Sequence, residues 1–333
     1  MKNLLIYILL LFGLISHGQE LNLPVWTQYL ADNEFVISPT YAGIGDNFKV
    51  RVNGLTQWVG IDNAPDNQSL YADFRIGNQT GVGLSLYNDS NGNTRQKGVK
   101  FSFAHHIILD YNTKQYLSFG LSYNINSFRI ETENFSNGDG TPIVDPGITD
   151  DRSRSNNNFD VGFLYRYNRF FLSLNANNLL KKDIDNYTGF EPDMLTNYQV
   201  YTGYIIAGGN KNIEFEPSVF FQYFDSDDRS ATDINFKYRK FNRDGDYYWV
   251  GGSYRFLNDQ AFKPLNIGPM AGIMKNRLYL AYAYQITMND LSGFNSGTHM
   301  VTIGLDFLNG VSNCACTKGT SYRKFKNNGN NRK

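Results

Sequence analysis

From Tyr116 to Asn126 the chain alternates with a period of two. Leu117, Phe119, Leu121, Tyr123 and Ile125 are apolar, and Ser118, Gly120, Ser122, Asn124 and Asn126 between them are small or polar. Successive side chains of a strand point to opposite faces, so this segment offers one face to oil and the other to water. The split recurs in Val82, Leu84 and Leu86 against Gly83 and Ser85, and in Phe170, Leu172 and Leu174 against Ser173 and Asn175. It returns in Leu278, Leu280, Tyr282, Tyr284 and Ile286 against Ala281, Ala283, Gln285 and Thr287, and in Val301, Ile303, Leu305 and Phe307 against Thr302, Gly304 and Asp306. In all, fourteen strands are predicted, near 47–59, 66–77, 80–89, 96–109, 115–131, 156–168, 169–178, 195–208, 211–224, 230–242, 246–257, 264–274, 277–288 and 297–307.

Strands of this length match the ~9–11 tilted residues that cross a bilayer, and an even count returns both chain ends to one side. Connections after even-numbered strands are tight: Gly77-Asn78-Gln79, Tyr167-Asn168-Arg169, Gly208-Gly209-Asn210 and Met274-Lys275-Asn276. Several after odd-numbered strands are long, notably Thr132 to Ser155 and Leu179 to Met194. Short periplasmic turns with longer outer loops mark an outer-membrane barrel. A soluble sandwich, the competing fold, gives no reason for that asymmetry. The expected fold is therefore all-β: a transmembrane antiparallel β-barrel of about 14 strands over residues 47–307. Tyr87, Tyr111, Tyr201, Tyr223, Tyr247 and Tyr248 near strand ends suit interfacial girdles.

Two flanks complete this organisation. Residues 1–18 read as a secretory signal peptide, with Lys2 before the apolar run Leu4 to Ile15 and a small-residue exit at Ser16-His17-Gly18. Residues 19–46, with Trp26, Tyr29, Phe35, Pro39 and Tyr41, read as an ordered segment that is plug-like or periplasmic. Residues 308–333 form a basic periplasmic tail carrying Lys318, Arg323, Lys324, Lys326, Arg332 and Lys333 and no acidic residue, its Asn/Gly-rich end expected to be disordered. Composition agrees with a chain of strands: 15% aromatic residues, with 23 Tyr, 25 Phe and 31 Gly. The chain has 31 basic and 31 acidic residues, and loss of Lys2 with the leader shifts it one unit toward acidic. That balance argues against nucleic acid as the main partner.

The stretch Gln57-Trp58-Val59-Gly60-Ile61, running to Pro65, is too apolar for an ordinary turn and too interrupted for a strand. Following the first strand, it belongs at the outer mouth, where it folds into the lumen as a plug or meets a partner. Other candidate chemistry is weak. His105 and His106 are neighbours in a strand and face opposite sides, so they cannot share a metal. Asp225, Asp227, Asp228 and Asp233 lack the spacing of a calcium loop and read as a solvated hairpin tip. Asn137-Gly138-Asp139-Gly140 reads as turn chemistry. No nucleophile elbow, phosphate loop or zinc pattern is present, so neither catalysis nor a cofactor is expected. Cys314 and Cys316 flank a single residue in an oxidising compartment, which leaves open a local disulfide or pairing with a partner.

Several motifs then converge. Trp26-Thr27-Gln28-Tyr29-Leu30, Ser38-Pro39-Thr40-Tyr41-Ala42-Gly43, Gln57-Trp58-Val59-Gly60 with Ala64-Pro65, Gly81-Val82-Gly83-Leu84-Ser85 and Thr298-His299-Met300 stand in order along the chain. In these the chain resembles the PorP/SprF membrane proteins of Bacteroidetes, with Ser38 and Thr40 where the family pattern has asparagine and alanine. The resemblance implies an outer-membrane barrel of type IX secretion and gliding. It also implies a secreted adhesin or other cargo with a C-terminal targeting domain as partner, together with periplasmic secretion components. Gln28, Tyr29, Pro39, Tyr41, Gly43, Gln57, Trp58, Val59, Gly60 and Pro65, with Trp26, are the expected plug or cargo contacts. Two other functions remain open, a channel for passive or hydrophobic-solute transport and a structural partner of a periplasmic secretion ring.

Overall fold

The computed structural model describes residues 27–45, 48–131, 152–180, 196–209, 212–225, 228–242, 245–260, 263–288, 290–307 and 314–318. Residues 1–26, which include the expected signal peptide and Trp26, together with Asn137-Gly138-Asp139-Gly140, Asp227 and most of residues 308–333, lie outside them.

Where the sequence alternates, it forms strands. They are β1 Phe48–Thr56, β2 Asp66–Arg75, β3 Thr80–Asn91, β4 Thr94–Asp110, β5 Gln115–Ile130, β6 Arg152–Tyr167 and β7 Phe170–Asn177. There follow β8 Asn197–Tyr204, which resumes after Ile205 as Ile206–Ala207, then β9 Ile213–Phe224, β10 Ser230–Phe241, β11 Tyr247–Leu257, β12 Asn266–Lys275, β13 Leu278–Thr287 and β14 Thr298–Phe307. Each pairs antiparallel with its neighbours in sequence. The last closes on the first, from Phe48 opposite Phe307 to Thr56 opposite His299. Closure leaves no free edge, which a bilayer interior without water requires.

The burial pattern is inverted relative to a soluble protein. On β10, Ile234 and Phe236 point outward and are 47% and 52% exposed, whereas Asp233, Asn235, Lys237 and Arg239 point inward and are buried. On β14, Val301, Ile303 and Leu305 are outward and Met300, Thr302 and Asp306 inward. An outward apolar surface around a polar interior is stable only against lipid, where a charge on the outer face costs about 2–4 kcal/mol at the midplane. The tight turns, such as 168–169 and 276–277, share one end with Phe48 and Phe307; residues 57–65, 131–151, 178–196 and 288–297 connect strands at the other. The short-turn end is therefore periplasmic.

Inside the barrel lies the N-terminal segment, folded as three single 3₁₀ turns, Thr27–Leu30, Glu34–Val36 and Pro39–Tyr41. No longer helix forms because the backbone reverses at Asp32 (φ 52°) and Gly43 (φ 74°) and because Pro39 restarts the chain. Ser38 caps the third turn by accepting from Thr40 N at 3.2 Å, the task an asparagine performs equally well there. The wall is hollowed to receive this segment. A Cβ on Gly81 would stand 2.1 Å from Ala42 O, and one on Gly83 would strike the Phe35 ring at 2.2 Å. The small inward positions on β3 are thus room for a plug as much as tolerance of water.

Candidate functional site

Asp32 is the plug's electrostatic anchor. Its Oδ1 receives Lys237 Nζ at 2.7 Å and Arg239 Nη2 at 2.6 Å, and its Oδ2 accepts from Tyr247 OH at 2.6 Å. Burial alone would push its carboxyl up, but Arg239 and Lys237 together hold it well below the usual carboxylate range. Arg239 also reaches Glu214 at 3.3 Å and Glu216 at 3.6 Å. Buried ion pairs add little net stability once desolvation is counted, yet breaking one costs about 3–5 kcal/mol. They therefore fix where the segment sits.

Two further attachments flank this anchor. Tyr29 donates to Asp233 Oδ2 at 3.1 Å and accepts from Asn235 Nδ2 at 2.9 Å, while its ring packs against Tyr201 and Phe220 with centroids 5.1 and 5.0 Å away. Burial, reinforced by the Asp233 charge, pushes the Tyr29 hydroxyl well above its ordinary value. At the segment's other end, Gly43 N donates to Asp73 Oδ2 at 2.9 Å, and Ala42 O accepts from His106 Nε2 at 3.0 Å. With Nε2 carrying that hydrogen, neutral His106 accepts from Ser118 through Nδ1 at 2.8 Å. His105 faces away, toward Thr80.

The plug divides the lumen. On the periplasmic side a cavity of about 80 Å³ is lined by Glu34, Tyr41, Arg51, Arg166, Glu216 and Arg239. On the outer side a vestibule of about 480 Å³ is floored by Gln28, Val36 and Ile37 and walled by Asn, Gln and aromatic side chains. Gln57, Trp58 and Pro65 line this vestibule, whereas Val59 is strapped to the last loop by bonds to Gly297 O at 3.1 Å and from Ser296 N at 2.7 Å. Trp58 (φ 50°) and Gly60 (φ 104°) take left-handed conformations that turn the loop over. The lumen is thus obstructed by residues 27–45, and the loop after β1 shapes the mouth above them. Gln28, Tyr29, Pro39 and Tyr41 are buried in the plug, and Gly43 ends it.

The C-terminal segment returns to the periplasmic mouth. Cys314 and Cys316 are joined by a disulfide. Arg166 donates to Cys316 O, and to Lys318 O at 2.7 Å. Arg75 donates to Thr317 Oγ1 and to Gly45 O, and Gly45 N donates to Thr317 O at 2.7 Å. This clip ties the end of the plug to the Cys314–Lys318 segment. The cysteine spacing marked the place; nothing in the basic tail marked the docking.

One expected grouping dissolves. Asp233 does not share a hairpin tip with Asp225 and Asp228: it lies inside the wall, paired with Arg255 at 2.6 Å, because inward and outward positions alternate along β10. Among the described residues no cluster of His, Cys, Asp or Glu is suited to a metal. Asp32, Lys237 and Arg239 were not singled out from the sequence, and Tyr247 and Tyr201, expected in the interfacial girdles, instead face the lumen, where Tyr247 donates to Asp32 and Tyr201 packs on Tyr29. The signal for the ion pairs was available: two cations at inward positions of one spanning strand require a buried counter-charge.

A family model described as type IX secretion system membrane protein PorP/SprF matches residues 18–305. Among curated proteins none matches. Among solved structures the chain is similar to the CymD monoaromatic hydrocarbon channel, at 10% identity over 87% of this chain and 93% of that one, with a TM-score of 0.47. It is similar also to the toluene transporter TbuX of Ralstonia pickettii, at 8% identity over 82% and 93%, TM-score 0.47. A third likeness is to CdiB from Acinetobacter baumannii, at 9% identity over 78% of this chain, TM-score 0.44; the chain spans 60% of CdiB's length.

Proposed function

Because the chain belongs to the PorP/SprF family of type IX secretion membrane proteins, we propose that this outer-membrane barrel is a non-catalytic docking station that helps export or anchor a secreted surface protein. Its cargo is an adhesin-like protein whose C-terminal targeting domain binds the outer mouth. The observation that carries this reading is the occupied lumen. Residues 27–45 cross it and are held by the Asp32 ion pairs, by Tyr29 and by His106. A barrel sealed by a charge-locked plug serves poorly as an open conduit, while its vestibule and structured rim suit retention of a partner. At the other end, the basic tail that follows Cys314–Lys318 serves as a contact for periplasmic secretion components. Residues 19–46 act as the plug domain and 308–333 as the periplasmic arm.

The test is deletion of the gene, with measurement of both secretion and surface retention of the adhesin encoded beside it. Retention at the normal level sinks the docking reading. Conductance of the purified barrel in planar bilayers is the complementary measurement: a plugged docking barrel gives little, and a steady open-channel current favours solute transport.

A further inference from the structure

The outward face of the wall marks where the bilayer ends. On β4 its positions are apolar from Val99 through Phe101 and Phe103 to Leu109, interrupted only by His105, which is bonded to Thr80 at 3.2 Å. On β5 they run from Leu117 to Ile125. A tilted strand crosses the hydrocarbon in ~9–11 residues, and each of these runs is that long. The outer edge of the apolar layer therefore falls just beyond Val99 and Ile125.

The next outward row is polar on four neighbouring strands. Gln68 on β2 stands opposite Asn88 on β3, Asn88 opposite Lys97 on β4, and Lys97 opposite Ser127 on β5. One row farther out, Ser90, Arg95 and Arg129 are aligned in the same way. The acidic end of this band is already engaged: Asn88 donates to Gln68 at 2.6 Å, and Gln68 donates to Asp66 at 2.7 Å.

The other end is cationic. Arg95 and Arg129 are direct cross-strand partners on one face, with Cβ atoms roughly 5 Å apart, and like charges so placed destabilise a sheet. Lys97, exposed, lies one row below them. Glu131 reaches Arg95 at 3.1 Å; among the described residues of this group, three cations face one carboxylate. Lys100, the next cation on β4, points inward to Asp160 at 2.6 Å and takes no part. An anion between Arg95 and Arg129 removes their repulsion, and the planar fork of a guanidinium matches the oxygens of a phosphate. Because the cations stand where the hydrocarbon ends, the exposed rings of Phe101 and Phe103 continue the same surface downward. The molecule that fits both parts has a phosphate above and acyl chains below.

We infer that the outer ends of β3, β4 and β5 bind the phosphorylated glycolipid of the outer leaflet. Arg95, Arg129 and Lys97 hold a headgroup phosphate, Ser90 and Ser127 flank it, and the apolar positions of β4 and β5 seat its acyl chains. The bound lipid fixes the depth of this side of the barrel in the membrane. It is independent of cargo docking, and its loss leaves the docking reading standing.

The experiment titrates the full-length barrel, purified in a neutral detergent, with diphosphoryl lipid A, with its dephosphorylated form carrying the same acyl chains, and with inorganic phosphate. Bound lipid is measured by native mass spectrometry. The phosphorylated form is expected to bind many times more tightly than the dephosphorylated one, and inorganic phosphate at the same concentration not to displace it. A basic side chain near an anionic surface contributes about fivefold in affinity, so Lys97→Gln with Arg129→Gln should weaken binding about 25-fold in barrels that still migrate as folded. Lys240→Gln, which removes an exposed cation at the periplasmic end of β10, should change nothing. Equal affinity for the two lipids, as expected where an acidic protein is the true occupant, would overturn the lipid surface. So would full affinity in the double variant, an equal loss in Lys240→Gln, or displacement by inorganic phosphate.

Discussion

Asp32 and Arg239 are 207 positions apart in the chain and meet at 2.6 Å inside the barrel. This pair joins the plug to the wall and makes the plug a fixed part of the barrel. Asp32→Asn leaves Arg239 and Lys237 without their shared carboxylate. Because breaking a buried pair costs about 3–5 kcal/mol, the variant should unfold at lower temperature and show intermittent open-channel current in planar bilayers. Wild-type conductance and melting in Asp32→Asn would mean that the plug is held by packing alone.

Two groups within the plug itself, Asp32 and Tyr29, have pH limits that can be worked out. Asp32 is held below the ordinary carboxylate value, so its contribution is complete above the unfolded pKa of about 3.9 and is lost as pH falls through the lower folded value. Tyr29 is raised, so its contribution is complete below about pH 10 and is lost as pH rises toward the folded value. The Asp32 and Tyr29 attachments should therefore both persist between pH 5 and pH 9, and current from their loss should appear only in strong acid or strong base. A transition near pH 6 in planar-bilayer conductance that persists in Asp73→Asn would contradict this assignment.

Trp58 lines the vestibule but lies above the plug. Trp58→Ala should leave conductance at the wild-type level and weaken cargo retention by about 2 kcal/mol, typical of an aromatic anchor at an interface. A rise in conductance with retention unchanged would instead make the loop after β1 part of the seal.

Truncation after Phe307 removes the carbonyl partners of Arg166 at Cys316 and Lys318. Each hydrogen bond to a charged group is worth about 1.5–3 kcal/mol, so the truncated barrel should expose residues 27–45 to protease from the periplasmic side. It should also cease to co-purify with periplasmic secretion components. Loss of co-purification with unchanged protease resistance would show that the tail recruits partners without clipping the plug.

The alternation of apolar and polar residues determined the barrel. Strand period, strand length and the contrast between tight and long connections are local properties, and a bilayer permits few folds that satisfy them. The same pattern could not say what fills the interior, because Ser, Asn and Gly at inward positions suit water and plug equally. Only the tertiary structure decided that Phe35 occupies the space left by Gly83, that Asp233 belongs to the wall and not to a hairpin tip, and that Arg75 and Arg166 grip the C-terminal segment. These pairings join residues that are remote in sequence, and no local periodicity encodes them. Lys237 and Arg239 came closest to announcing theirs: cations facing the inside of a membrane barrel demand a partner, but that Asp32 meets both is settled by how the chain before β1 folds back through the lumen.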